Sequence, residues 1–406
     1  MDKIVSLCKR RGFIFPGSEI YGGLANSWDY GPLGVELKNN IKQLWWKRFV
    51  HERDDMVGID AALIMSPKVW EASGHLKTFS DLLAECKSCH NRIRVDQYLS
   101  MADMERFSAM MQETTTALRG IEPAEMEANV KFIWKEMGET LTASVPCPVC
   151  EKKDWTEARS FNLMMATYVG TSRDESNIAN LRPETAQAMF VNFKNIHDTS
   201  RRQIPFGVAQ IGKAFRNEIT PGNFIFRTRE FEQMEIEYFI RPEDWERAFE
   251  EWRQAMRAWL VEIGVDMSKI YEVEIEDGDR AHYSQRTIDF EFDYPFGQKE
   301  LYGLAYRTDF DLSNHIKHSG ADLAYRDPKT NETFVPHVIE PTWGVDRTML
   351  VALLSAYREE GERVYLKLPP RLAPYKAAVF PLLGNKPDLT AKAREQSRNA
   401  ALFAEN

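Results

Sequence analysis

Residues 210–239, QIGKAFRNEITPGNFIFRTREFEQMEIEYF, constrain the fold of this chain more than any other stretch. Two alternating runs flank a turn-rich, basic segment. In the first, Arg216 and Glu218 share a face. In the second, Phe231, Gln233 and Glu235 share one face while Met234, Ile236 and Tyr238 point the other way. A period of two means strands, and Thr220-Pro221-Gly222-Asn223 is a turn signal, so the spacing predicts an antiparallel hairpin with a long loop. A solvated sheet face is the ordinary reading of such a pattern. Here, however, an Arg, an aromatic ring and several carboxylates share one face, with Arg227 and Arg229 entering the second strand. That set would be crowded without a polyanionic ligand.

Residues 336–354, PHVIEPTWGVDRTMLVALL, complete the pattern. They read as a short apolar strand, a Pro-Thr turn, and a helix starting near Gly344 with Val345, Met349 and Leu353 on its buried face. Arg347 falls in the first turn, where its charge adds to the positive end of the helix dipole. That costs stability unless an anion such as a phosphate lies opposite. The alternative is a surface Arg347 paired with Asp346 or another acid.

The cysteines carry a separate message. Cys86-Lys-Ser-Cys89 and Cys147-Pro-Val-Cys150 are two Cys-x-x-Cys knuckles, whose four thiolates fit a closed, tetrahedral structural zinc site better than a disulfide pair. Cys8, the odd one, reads as a buried apolar residue. Between the knuckles, Met101, Met104, Phe107, Met110 and Met111 recur at helical spacing, as the core of a helical insertion whose base zinc would pin.

With 406 residues, 43% hydrophobic and 28% charged, the chain can bury a large core in more than one domain. No run of about 18 apolar residues appears, so no membrane span is expected. The start MDKIVSLCKRRGFIFPG lacks the core and cleavage site of a signal peptide, so a cytoplasmic location is expected. A net charge of -9 and a pI near 5.6 argue mildly against nucleic acid as a partner. Lys9-Arg10-Arg11, Arg92 with Arg94, and Arg201-Arg202 could still supply local patches. Gly207 to Lys213 has phosphate-loop spacing, but Ala214 lacks the hydroxyl that motif needs and a strand follows where it needs a helix.

Phe215-Arg216-Asn217-Glu218, then Arg227 to Phe231, resembles the second signature motif of class II aminoacyl-tRNA synthetases, and Gly344-Val345-Asp346-Arg347 resembles the third. Residues 18–46, Ser73 to Leu76, Leu181 to Gln187 and Arg307 to His315 extend the resemblance over nearly the whole chain, to the glycyl-tRNA synthetase family of the bacterial, homodimeric type. It implies an α+β fold: a class II antiparallel sheet flanked by helices, a zinc-knuckle and helical insertion, and the start of a C-terminal α/β anticodon-binding domain. It also implies a ligase that activates glycine with ATP and magnesium and transfers it to tRNA(Gly).

By resemblance, Arg216, Glu218 and Arg347 are the catalytic set. ATP would meet Arg216, Asn217, Glu218, Phe226, Arg227, Phe231, Glu300, Leu301, Gly344 and Arg347. Phe231 and Arg347 would sandwich adenine, and magnesium would lie near Glu300. Glycine would meet Arg94, Glu184, Phe231, Gln233, Glu235, Glu340, Thr342 and Gly344, with Glu184, Glu235 and Glu340 receiving its ammonium. Three carboxylates converging on a small cavity favour one cation and leave little room for a side chain. Ala188, Thr342 and Gln298 depart from the family's usual residues, and the extra methyl of Thr342 narrows the pocket. A non-catalytic synthetase-like subunit that binds nucleic acid or a partner protein is the rival reading.

The expected organisation has residues 1–85 carrying the motif 1 segment at a dimer interface, with a long helix from Gly34 to about His51 and a strand from Met56 to Met65. Residues 86–155 form the zinc and helical insertion, and 156–368 the main sheet, with a core helix from Pro242 to Ile263. After the stiff linker from Pro369 to Pro374, a strand over Lys376 to Leu383 and a helix from Leu389 to about Ala404 would open the anticodon-binding domain. Roughly 30 residues cannot close such a domain.

Overall fold

The computed structural model describes residues 1–117, 123–174, 177–277, 280–281 and 283–404. Its centre is a seven-stranded sheet. The strands are β1 (Met56–Gly58), β2 (Phe206–Phe215), β3 (Glu230–Ile240), β4 (Ile270–Glu274), β5 (Arg286–Tyr294), β6 (Gly297–Thr308) and β7 (His337–Gly344), in the spatial order β4-β5-β6-β7-β3-β2-β1. β1 runs parallel to β2, and the other neighbours are antiparallel. The expected hairpin is β2–β3, with Ala214 opposite Phe231 and Gln210 opposite Glu235.

One face of the sheet packs on three helices: α1 (Pro32–Trp46), α2 (Trp245–Glu262) and α3 (Val345–Ala356). Each helix supplies an apolar stripe. In α2 the residues Phe249, Trp252, Met256 and Leu260, joined by Trp259, are buried in one core with Met234, Ile236 and Tyr238 of β3. Trp343 of β7 lies between Trp45 and Phe49, with ring centres 5.4 and 4.9 Å away. Val345, Met349 and Leu353 of α3 are fully buried, as their spacing predicts. Cys8 is buried in this same core.

On the opposite face, β3 changes character along its length. Phe239 joins an apolar cluster with Phe190, Phe193 and Phe206. Towards the other end, Phe231, Gln233 and Glu235 face a cavity.

The insertion has its own core. A small sheet of Ser80–Glu85, Arg92–Arg94 and Arg159–Asn162 packs with the helices Met101–Ala117 and Pro123–Ser144. Phe107, Ile133, Leu141 and Trp155 are buried within it, and Met104, Met110 and Met111 pack against them. Met101 begins the first of these helices; its side chain lies outside the described residues.

Four expectations are corrected. The first strand of the hairpin ends at Phe215, so Arg216 and Glu218 lie in the connecting loop and not on a strand face. The chain from Met56 to Met65 is not one strand: Met56–Gly58 joins the central sheet beside Gly207–Ala209, while Ile64–Met65 pairs with Asn180 and Leu181 in another sheet. Two different hydrogen-bonding partners break the run. Pro341-Thr342 is not a turn, because β7 continues to Gly344, with Pro341 opposite Leu304 and Thr342 between Glu235 and Gly303. Lys376 to Leu383 forms no strand. Among the described residues no neighbour runs alongside it, and Phe380 and Leu382 stay exposed. The helix after it spans Pro387–Ala404. No described helix is long and apolar enough to cross a membrane.

Candidate active site

The cavity over β3, β6 and β7 has a volume of about 490 Å³, a size usual for small-molecule sites. Its two ends differ in charge.

At the acidic end, Glu184, Gln233, Glu235, Glu340 and Thr342 line the wall. Glu235 faces Thr342 across the β3–β7 pair and accepts a 3.0 Å hydrogen bond from its hydroxyl. Thr185 donates a short bond to the other oxygen of Glu235. Glu184 accepts from Gln187 at 3.1 Å and has His75 Nε2 at 3.3 Å. Glu340 is gripped by Arg307, whose Nη1 is 2.7 Å away, while the rest of that guanidinium holds Asp311 through bonds of 2.7 and 2.9 Å. Arg307 itself is 1% exposed and lies 3.7 Å from the centre of the Tyr283 ring.

These carboxylates do not titrate alike. Burial would raise Glu184, but the neighbouring His75 and Arg307 outweigh it and hold this carboxyl well below the usual range. Burial and the adjacent Glu184 push Glu235 up. Burial, opposed by Arg307 but reinforced by Glu235 and Glu184, pushes Glu340 up to about 8. Glu237, the next residue along the same face of β3, is fully buried. Neither of its oxygens meets a hydrogen-bond donor among the described residues. Burial and Glu340 raise it well above an ordinary glutamate. The acidic end thus carries more carboxyl groups than cations, an imbalance one small ammonium would reduce.

At the basic end, Arg216, Arg227 and Arg347 surround Phe226 and Phe231. Arg216 donates to the Pro183 carbonyl at 3.0 Å and lies over the rings of Phe231 and Phe79, at 5.2 and 5.3 Å. Arg347 donates to the carbonyls of Glu300 and Phe226, lies 3.3 Å from a carboxylate oxygen of Glu300, and stacks over Phe226 at 4.4 Å. Its acidic partner is therefore Glu300, not Asp346. Arg227 is 3.8 Å from Glu218. Asp289 lies beside Glu300, and burial with Glu300 and Glu291 pushes it up to about 7.

Leu301 and Gly344 also line the cavity, whereas Asn217 and Arg94 are not among its lining residues. Asn217 is tied by its backbone to Leu163, and Arg94 pairs with Asp81 at 3.2 Å in the insertion sheet. No local pattern assigns a role to Arg307, Glu237 or His75. Arg307 and Asp311 are four residues apart at a strand-to-helix junction, a spacing that could have flagged a pair. His75 lies within the family-like stretch Ser73 to Leu76, but nothing local brings it to Glu184.

In the insertion, Cys86, Cys89, Cys147 and Cys150 converge, with all four sulfurs within 4.8 Å of one another. The Cys86–Cys150 and Cys89–Cys147 sulfur pairs are each 3.6 Å apart. A zinc–sulfur bond of about 2.3 Å in a tetrahedron sets sulfurs about 3.8 Å apart, so the four residues fit the metal.

A sheet of this topology, with an Arg on the hairpin and another in the first turn of the helix after the last strand, defines the class II tRNA synthetases. Residues 168–357 match the family "tRNA synthetase class II core domain (G, H, P, S and T)". The chain is 52% identical over 386 residues to the glycine–tRNA ligase of Caldanaerobacter subterraneus subsp. tengcongensis, covering 94% of this chain and 80% of that protein. It is 50% identical to that of Alkaliphilus oremlandii over 94% of this chain and 80% of the relative, and 49% identical to that of Thermobifida fusca over 97% and 82%. The chain belongs to the glycine–tRNA ligase family.

Proposed function

We propose that the cavity activates glycine with ATP and then charges tRNA(Gly). A glycine carboxylate oxygen attacks the α-phosphorus of ATP, pyrophosphate leaves, and glycyl-adenylate forms. The terminal ribose hydroxyl of the tRNA then attacks the glycyl carbonyl and AMP departs. No protein nucleophile is needed, and catalysis is positioning plus electrostatics.

The observation that carries this reading is the opposition of the two ends. Glu184, Glu235 and Glu340 offer a small, buried anionic wall for an ammonium, and Arg216, Arg227 and Arg347 offer cations for a triphosphate. Arg216 would hold the α-phosphate and the substrate carboxylate, and Arg227 and Arg347 the departing pyrophosphate. Adenine would lie beside Arg347 with Phe226 and Phe231 as its apolar surfaces and Glu218 meeting its amino group. Thr342, pinned to Glu235, limits the room for any side chain beyond hydrogen.

Glu300 and Asp289 present oxygen donors of the kind magnesium prefers, and the ion accompanying ATP would supply charge neutralisation at the phosphates. Zinc held by Cys86, Cys89, Cys147 and Cys150 would be structural, since four protein ligands leave no open position. We further read the chain as a cytoplasmic homodimer, paired through the segment that contains α1 and β1.

Glycine-dependent exchange of labelled pyrophosphate into ATP is the test. Exchange with glycine, and its absence with alanine, supports the reading. Folded protein with no exchange would favour the rival, a non-catalytic subunit.

A further inference from the structure

Lys38, on α1, is 7% exposed, yet its ammonium has no role in the reading above. It lies 3.2 Å from Asp346 Oδ1, 3.0 Å from Glu232 Oε2, and 4.1 Å from the centre of the Tyr30 ring. The Tyr30 hydroxyl donates a short bond to the same Asp346 oxygen. The second Asp346 oxygen accepts from the backbone N–H of Glu232 at 2.7 Å, and Lys42 donates to the other Glu232 oxygen at 3.2 Å. Burial opposes the charge on Lys38, but Asp346 and Glu232 outweigh it and raise its pKa, so the ammonium stays charged.

The network ties together elements far apart in sequence. Asp346 precedes Arg347 in the first turn of α3, and Glu232 lies between Phe231 and Gln233 of β3. Lys38 and Tyr30 come from a segment 308 and 316 residues away from Asp346. Asp346 is buried at the N-terminus of α3, where the helix dipole favours its charge but burial still demands partners, and it draws two of them from one distant segment. What those partners add is direction: they fix which way the first turn of α3 faces. At the other end of the cavity, Glu184, Glu235 and Glu340 are held by a separate set, Gln187, Thr185 and Arg307.

We propose that Lys38 and Tyr30 are positioning residues for ATP: by holding Asp346 they set the first turn that presents Arg347. The inference rests on the reading that Arg347 meets ATP. Loosening the network shifts the ATP end of the cavity and leaves the glycine end in place.

The test is pyrophosphate exchange by Lys38→Met, Lys38→Arg, Tyr30→Phe and, as reference, Arg347→Ala, with KM measured separately for ATP and glycine. Lys38→Met should raise KM for ATP on the order of tenfold and Tyr30→Phe about threefold, with KM for glycine within about twofold of wild type. Lys38→Arg, which keeps the charge, should recover most of the loss. Unchanged KM for ATP in both Lys38→Met and Tyr30→Phe, or KM values for ATP and glycine that rise together, would overturn the proposal. Should Lys38→Met fail to fold, Tyr30→Phe decides, because it removes one hydroxyl and keeps the ring under Lys38. If Arg347→Ala also leaves KM for ATP unchanged, the assignment of the ATP end falls and the positioning role with it. If Arg347→Ala raises KM while the other variants do not, only the positioning role falls.

Discussion

Arg307 Nη1 lies 2.7 Å from Glu340 Oε1, and the same guanidinium holds Asp311, with Arg307 and Asp311 side chains each 1% exposed. Removing the cation leaves two buried carboxylates facing each other. Arg307→Met should therefore cost about 3–5 kcal/mol of stability, read from denaturant unfolding. Arg307→Lys should recover only part of it, because a single ammonium cannot span both acids as the fork does. A loss below about 1 kcal/mol in Arg307→Met would show that the pair carries little net weight.

Glycine binding should be linked to proton release. In the empty pocket, burial, opposed by Arg307 but reinforced by Glu235, Glu184 and Asp311, pushes Glu340 up to about 8, and an ammonium draws it back to the charged form. Affinity for glycine should then rise with pH towards 8, by up to about tenfold per unit, and level off above it. Calorimetry in buffers of different ionisation enthalpy would count the protons released. A flat profile between about pH 6.5 and 8 would contradict this assignment.

Glu237→Gln should stabilise the unliganded protein, and more so at high pH. The wild-type acid has its folded pKa raised well above the unfolded value by burial and by Glu340. Its contribution to stability is complete below the unfolded pKa and is lost as pH rises towards the folded one. Gln cannot ionise, so the variant avoids that loss. The difference in Tm between variant and wild type should be small at about pH 5 and larger at about pH 8.5. An equal difference at both would mean that the folded pKa of Glu237 is not raised above the unfolded one.

Arg216→Ala removes a directed donor to the phosphate that gains charge in the transition state. It should cost on the order of 3 kcal/mol in glycine activation, seen as kcat/KM for pyrophosphate exchange. Near-normal exchange would remove Arg216 from the catalytic set.

Protein purified without chelator should contain about one zinc per chain, and Cys86→Ser should lose it. Because the insertion has its own core, with Phe107, Leu141 and Trp155 buried away from the cavity, metal loss should raise proteolysis within residues 86–155 first. A stable, metal-free wild type would refute the assignment.

Elements whose burial follows local period were legible in the chain alone. The alternation over 210–239 specified a hairpin and the two faces of its second strand, the four-residue spacing of Val345, Met349 and Leu353 specified α3, and four paired cysteines specified a metal-fitting cluster. The family resemblance also pointed to Arg216, Arg347, Glu184, Glu235 and Glu340, which the structure brings to one cavity. Local pattern could not reveal which partner a segment would find. The run from Met56 to Met65 split because two sheets compete for it, and Lys376 to Leu383 stayed irregular for want of a neighbour. Glu237 alternates in step with Glu235, and only the packing around it decides that one meets hydroxyls and the other meets none. Arg307 reaches Glu340, and Lys38 reaches Asp346, through strand register and helix packing across 33 and 308 residues. Periodicity is a property of a dozen neighbouring residues, whereas the charge balance of a buried site is set by residues the fold collects from the whole chain.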